Sequence, residues 1–202
     1  CLMEAGNDQI PRLETLGPRI CIFGPSNAGK STLAAAISHS LGLPAIHLDL
    51  LHHLPNTDWV PRPAHEFERL HDEAIEGTCW VMDGNYSRLM PRRLARATGI
   101  VWLDTAMPGN LWRYFRRTLF DRDRYGFLEG GHECVNWKMI HHIAVHQPKS
   151  RPKWERAIRA SGLPVVRIDN MARLERLYAD WGLERPPTTG AANRQTGNKK
   201  GG

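Results

Sequence analysis

RICIFGPSNAGKSTLAAAISHSLG, residues 19–42, joins a short apolar run to a glycine-rich turn and then to a helical stretch. RICIF (19–23) is apolar almost throughout, as a strand buried on both faces is. The helical stretch begins at Lys30 and stops at Gly42. Between them GPSNAGKST (24–32) satisfies G-x-x-x-x-G-K-[ST], with Gly24, Gly29, Lys30 and Ser31 at the specified positions and Pro25, Ser26, Asn27, Ala28 and Thr32 filling the loop. The spacing has a mechanical reason. Glycines let the backbone fold tightly, so that successive N–H groups and the positive end of the following helix face phosphate oxygens. The lysine then reaches the β- and γ-phosphates, and the serine hydroxyl ligates Mg²⁺. A nucleoside triphosphate, ATP or GTP, with Mg²⁺ is therefore the expected ligand.

The same alternation continues along the chain. Four further apolar runs, PAIHL (44–48), TCWVM (78–82), GIVWL (99–103) and PVVRI (164–168), read as buried parallel strands. Within PAHEFERLHDEAIEG, Phe67, Leu70, Ala74 and Ile75 recur at helical spacing. Strand, helix, strand implies right-handed crossovers and a three-layer α/β sandwich. Residues 1–18 have no clear period and read as an N-terminal extension to a single domain over 19–185. Residues 186–202, rich in Gly, Pro, Thr and Asn, read as a disordered tail.

Composition limits the function classes. The net charge is +6, but Arg194, Lys199 and Lys200 in the tail supply half of it, and no helix-turn-helix pattern is present. Nucleic acid is not an expected partner. No apolar run approaches the roughly 20 residues that cross a bilayer, and Glu4, Asp8 and Glu14 occupy the first twenty positions. The expectation is a cytoplasmic protein without a membrane partner. Cys1, Cys21, Cys79 and Cys134 are widely spaced and read as reduced thiols.

Acids at strand ends extend the site. Asp49 follows PAIHL, Asp83 follows TCWVM and Asp104 follows GIVWL, and in an open parallel sheet ligands bind at the carboxyl ends of strands. Asp49, in HLDLLHHLP (47–55), and Asp83, in DGNYSR (83–88), read as functional, whereas Asp104 reads as the cap of a helix starting near Pro108. Arg113, Arg116 and Arg117 fall at i, i+3 and i+4 on one helix face, where like charges repel unless an anion neutralises them. With a phosphate loop in the same chain, they read as catalytic clamps on charge that develops during phosphoryl transfer. The histidines do not make a metal motif: only His142 and His146 share i, i+4 spacing, and no glutamate stands between them as HExxH requires. The tryptophans Trp102, Trp112, Trp137 and Trp154 read as packing residues.

GPSNAGKST, HLDLLHHLP, DGNYSR and the arginine helix together resemble the FlaR-related group of adenylate-kinase-like P-loop proteins, an AAA-family ATPase group also called DNA topology modulation proteins. The resemblance runs from about Arg19 to Trp181. It implies a nucleoside-monophosphate-kinase fold, with five parallel strands in the order 2-3-1-4-5 and a helical lid over about 113–150. It also implies that residues 24–32 surround the phosphates, that Asp49 lies beside the acceptor and that Asp83 lies near the Mg²⁺ waters. DGNYSR is similar to the DGFPR segment of adenylate kinases, so Arg88 is expected to hold an anionic group of the acceptor. The chain departs from adenylate kinases in carrying Asn85–Ser87 in place of the Phe-Pro pair and in lacking the RRxH lid pattern.

The expected activity is transfer of the γ-phosphoryl group of Mg-ATP to a small acceptor, either a hydroxyl-bearing metabolite or a nucleoside or nucleotide. A phosphate acceptor needs only clamping, whereas a hydroxyl needs a carboxylate to take its proton, a role open to Asp49. Asp49 is equally open to ordering the metal's water shell. The other class is a slow ATPase acting as a nucleotide-switched regulatory or DNA-associated protein.

Overall fold

The computed structural model describes residues 9–26, 28–57, 59–104 and 147–185 of the chain, and for 147–150 the backbone alone. Its five strands are β1 (Arg19–Phe23), β2 (Ala45–His47), β3 (Trp80–Asp83), β4 (Gly99–Leu103) and β5 (Val165–Ile168). The helices are α1 (Lys30–Leu41), α2 (Leu48–His52), α3 (Ala64–Ile75), α4 (Met90–Arg96), α5 (Gln147–Ala160) and α6 (Met171–Asp180), with a 3-10 turn at Leu13–Leu16. All strands are parallel, in the order β2-β3-β1-β4-β5. This is the expected α/β sheet order.

Alternation along each strand divides the core into two layers. Ile20, Ile22, Val81, Val101 and Leu103 face the side covered by the 3-10 turn, α1 and α6. Their neighbours Cys21, Phe23, Trp80, Met82, Ile100 and Trp102 face α3, α4 and α5. Because both faces are covered, the strands read as continuous apolar runs, and a large side chain so buried stabilises the fold by about 1.5–3 kcal/mol.

Three details depart from the sequence expectation. Residues 10–16 are not outside the scheme: Ile10, Leu13 and Leu16 are buried in the first layer, and Trp181 Nε1 donates to the Pro11 carbonyl at 2.8 Å. A single 3-10 turn is too short to show a period. β2 ends at His47 because Leu48 turns into the core, fully buried, and opens α2, so Asp49 lies in the first turn of a short helix. Residues 147–150, expected in the lid, begin α5. The rest of that lid range, with Arg113, Arg116 and Arg117, lies outside the described residues, as do Asn27, Cys1, Cys134 and the whole of the 186–202 tail.

Cys21 and Cys79 are free, and burial, which outweighs the nearby Arg93 charge, pushes the Cys21 thiol up to about 11. Among the described residues no helix is long and apolar enough to cross a membrane.

Candidate functional site

The register of the sheet brings the chemistry to one edge. His47 of β2, Asp83 of β3 and Ile22 of β1 lie side by side, one residue before β1 runs into the loop at Gly24. Gly24 has φ +153°, and a Cβ there would stand 2.5 Å from the Leu103 carbonyl oxygen, so a larger residue would push the loop off the sheet. The loop turns tightly, with Ala28 N–H donating to the Pro25 carbonyl at 3.3 Å, and delivers Lys30 and Ser31 to the first turn of α1. Lys30 Nζ donates to the Pro25 carbonyl at 2.9 Å, which folds the ammonium back over the loop. Of the other loop residues expected around phosphate, Pro25, Ser26 and Gly29 are half-buried, Ala28 is buried and Thr32 is exposed.

Ser31 Oγ donates to Asp83 Oδ2 at 2.7 Å, and the other carboxylate oxygen of Asp83 accepts from His47 Nδ1 at 2.5 Å. Asp83 is 2% exposed, so this buried carboxylate is held by a hydroxyl on one side and an imidazole on the other. Burial opposes charging of His47, but the hydrogen bond and charge of Asp83, with Asp49 beyond, win and hold His47 above the usual imidazole range. Ser31 and Asp83 are hard oxygen donors. Among the described residues no group of three or more His, Cys, Asp or Glu forms a metal cage. Two such donors beside this glycine-containing loop fit Mg²⁺, which keeps most of its shell in water and substrate oxygens.

The turn after β3 carries the rest of the site. Gly84 has φ +122°, and a Cβ there would meet Leu48 at 2.8 Å, so glycine lets the chain turn tightly over α2. Asn85 then reaches back to the loop after β1: its Oδ1 accepts from Gly24 N–H at 3.2 Å and its Nδ2 donates to the Gly24 carbonyl at 2.9 Å. Tyr86, at φ +30°, donates from its hydroxyl to Asp49 Oδ1 at 2.7 Å. Burial, then the charge and hydrogen bond of Asp49, push the phenol pKa well up and keep it a neutral donor. From below, Arg93, fully buried, donates from Nη1 to the Gly84 carbonyl at 2.8 Å and from Nη2 to the Asn85 carbonyl, and its guanidinium lies 5.3 Å from the Phe23 ring centroid. Burial lowers the Arg93 pKa to about 10, which leaves it charged at neutral pH.

Beside this turn a cleft of about 310 Å³ opens, lined by His52, Arg62, Phe67, Glu68, Tyr86, Ser87 and Arg88 among others. Phe67, Tyr86 and His52 form its aromatic wall, with ring centroids 4.9–5.0 Å apart. Asp49 stands one hydrogen bond away, through Tyr86. Arg88 is 75% exposed and ion-paired with Glu68, which also faces Arg92 at 3.8 Å.

Asp104 follows β4, and the helix near Pro108 that it is expected to cap lies outside the described residues. Its carboxylate accepts from Arg151 of α5 at 2.7 and 2.6 Å and from Arg167 of β5 at 2.6 Å, and both guanidiniums lie over Trp102. Trp154 of α5 donates to Ser87 Oγ at 3.0 Å, so α5 braces both the end of β4 and the turn after β3. The structure thus brings together Lys30, Ser31, Asp83 and the loop, sets Arg88 at the cleft and holds Asp49 behind Tyr86. His47, Asn85, Tyr86 and Arg93 are additions to the expected site. The first three sit inside the quoted segments HLDLLHHLP and DGNYSR, whose density of polar residues was their signal. Arg93 gives none, since a buried arginine reads in sequence as a solvated one.

No protein-family model matches the chain, and neither does any curated protein. Solved structures to which it is similar include small-molecule and nucleoside kinases. A gluconokinase from Sinorhizobium meliloti 1021 is 16% identical, with 84% of this chain and 97% of that one covered and a TM-score of 0.47. A shikimate kinase from Acinetobacter baumannii in complex with shikimate is 14% identical, with 82% and 94% covered and a TM-score of 0.49. A deoxyadenosine kinase from M. mycoides with bound dCTP is 12% identical, with 79% and 96% covered and a TM-score of 0.41. Likeness at this level assigns no activity to the chain.

Proposed function

We propose that the protein is a phosphotransferase that moves the γ-phosphoryl group of Mg-ATP to the hydroxyl of a small acceptor. The observation that carries this reading is the Ser31–Asp83–His47 network beside Lys30, set one loop away from the Tyr86–Asp49 pair. One half is suited to a metal triphosphate and the other to an acceptor. In the proposed reaction the acceptor oxygen forms a bond to the γ-phosphorus while the bond to the β,γ-bridging oxygen breaks and ADP leaves. The hydroxyl proton passes to Asp49 Oδ2, the oxygen that Tyr86 does not engage. Lys30 and the loop N–H groups hold the phosphates, and Arg113, Arg116 and Arg117 are proposed to meet the charge that develops on the transferred group. Mg²⁺, when bound at Ser31 and Asp83, would neutralise charge on the β- and γ-phosphates.

Asp49→Asn tests the assignment, because it keeps size and hydrogen-bonding reach but removes the base. Turnover is expected to fall by about 10²–10⁴-fold, with ADP affinity nearly unchanged. Near wild-type turnover contradicts the base role. A loss that excess Mg²⁺ restores reassigns Asp49 to the metal's water shell.

A further inference from the structure

We infer that the acceptor is an uncharged alcohol built on a flat heteroaromatic ring, of the class of an unphosphorylated nucleoside, an inference that rests on the phosphotransferase reading of the same site. Size comes first: at about 310 Å³ the cleft lies at the small end of the range for small-molecule sites, roughly 300–1,000 Å³. Shape comes second. Phe67, Tyr86 and His52 meet at 4.9–5.0 Å between centroids, a rigid aromatic wall that offers faces and edges to a planar ring and few partners to a polyol.

Charge excludes the anionic alternatives. Both guanidiniums in the lining are already engaged, Arg88 with Glu68 and Arg62 with Glu66 at 3.0 Å, and Glu68 also faces Arg92. A carboxylate or phosphate on the acceptor would have to displace a carboxylate already in place, and would lie near Glu68. This reverses the expectation that Arg88 holds an anionic group. One neutral donor is left in the lining: Ser87 Oγ accepts from Trp154, which leaves its O–H to donate to a lone pair of a ring nitrogen or carbonyl oxygen. Tyr86 joins this wall to Asp49, so a ring held there carries its hydroxyl toward the base.

The test offers ATP labelled in its terminal phosphate with three sets of acceptors: the common nucleosides, their 5′-monophosphates, and the hydroxy acids gluconate and shikimate. Labelled ester is expected from one or more nucleosides, and Phe67→Leu, which keeps an apolar side chain but removes the ring, is expected to raise KM for that nucleoside by about 3- to 10-fold with kcat nearly unchanged, measured well below a melting transition that the loss of a buried ring lowers. Transfer to monophosphates or hydroxy acids at rates equal to or above those of the nucleosides overturns the inference and leaves the phosphotransferase reading standing. Label found only as orthophosphate in every set overturns both. An unchanged KM in a folded Phe67→Leu variant overturns the ring-wall argument.

Discussion

Asn85 is the residue through which the two halves of the site are joined. Its carboxamide makes both hydrogen bonds to the Gly24 backbone, and Gly24 is buried, so truncation would leave an N–H and a carbonyl without partners. Each such bond is worth about 0.5–1.5 kcal/mol net. Expressed in ligand binding, loss of the pair in Asn85→Ala is expected to weaken ADP binding by roughly 5- to 150-fold. Calorimetric titration with ADP, set beside a thermal melt, checks it. An unchanged ADP affinity with a large fall in melting temperature would make the clamp a stabiliser of the fold alone. Asn85–Ser87 stand in place of the Phe-Pro pair of the DGFPR segment, so the presence of Asn85 and Tyr86 was legible but their employment was not. A side-chain amide that bonds backbone 61 residues away leaves no periodic trace.

At the scale of elements, α5 carries the brace between the end of β4 and the turn after β3, and Asp104 is its anchor. Burial raises the Asp104 pKa, but hydrogen bonds and charges from Arg151 and Arg167 win and hold the carboxyl below its usual range. A depressed folded-state pKa means that the contribution is present above the unfolded carboxylate pKa and is lost as pH falls through the lower folded value. Since the guanidiniums are 47% and 45% exposed, solvent screening limits the effect to about 1 kcal/mol. Asp104→Asn is expected to lower unfolding stability by about that much at pH 7, and the gap from wild type should close as pH is lowered through the carboxylate range. Urea unfolding of both proteins across that range checks it, and a gap independent of pH would contradict the ion-pair account. α5 itself was hidden in the sequence, because Pro148 and Pro152 and a low apolar content mask its helical period. The strands were legible for the opposite reason. Buried on both faces, they are written as unbroken apolar runs, and only their ends shifted, where Leu48 turned inward and Thr78 and Cys79 preceded the first paired residue of β3.

For the whole molecule, the fold follows from a repeated unit, an apolar strand followed by a helix, and the site follows from where parallel strands end. That logic made the juxtaposition of Ser31 and Asp83 readable before any coordinates, since strand register alone carries Asp83 beside β1. It could not give the cleft, whose lining comes from α2, α3, the segment before α3 and the turn after β3. Both halves of the site are needed if phosphoryl groups go to an alcohol and not to water. The most direct measurement supplies ATP labelled in its terminal phosphate together with a protein-free extract of small metabolites, and follows where the label goes. Wild-type protein is expected to move it into an acid-stable organic ester in an extract-dependent manner, and Lys30→Ala, folded as judged by its melting transition, is expected to abolish the transfer. Label released only as orthophosphate, at the same rate with and without extract, would contradict the account.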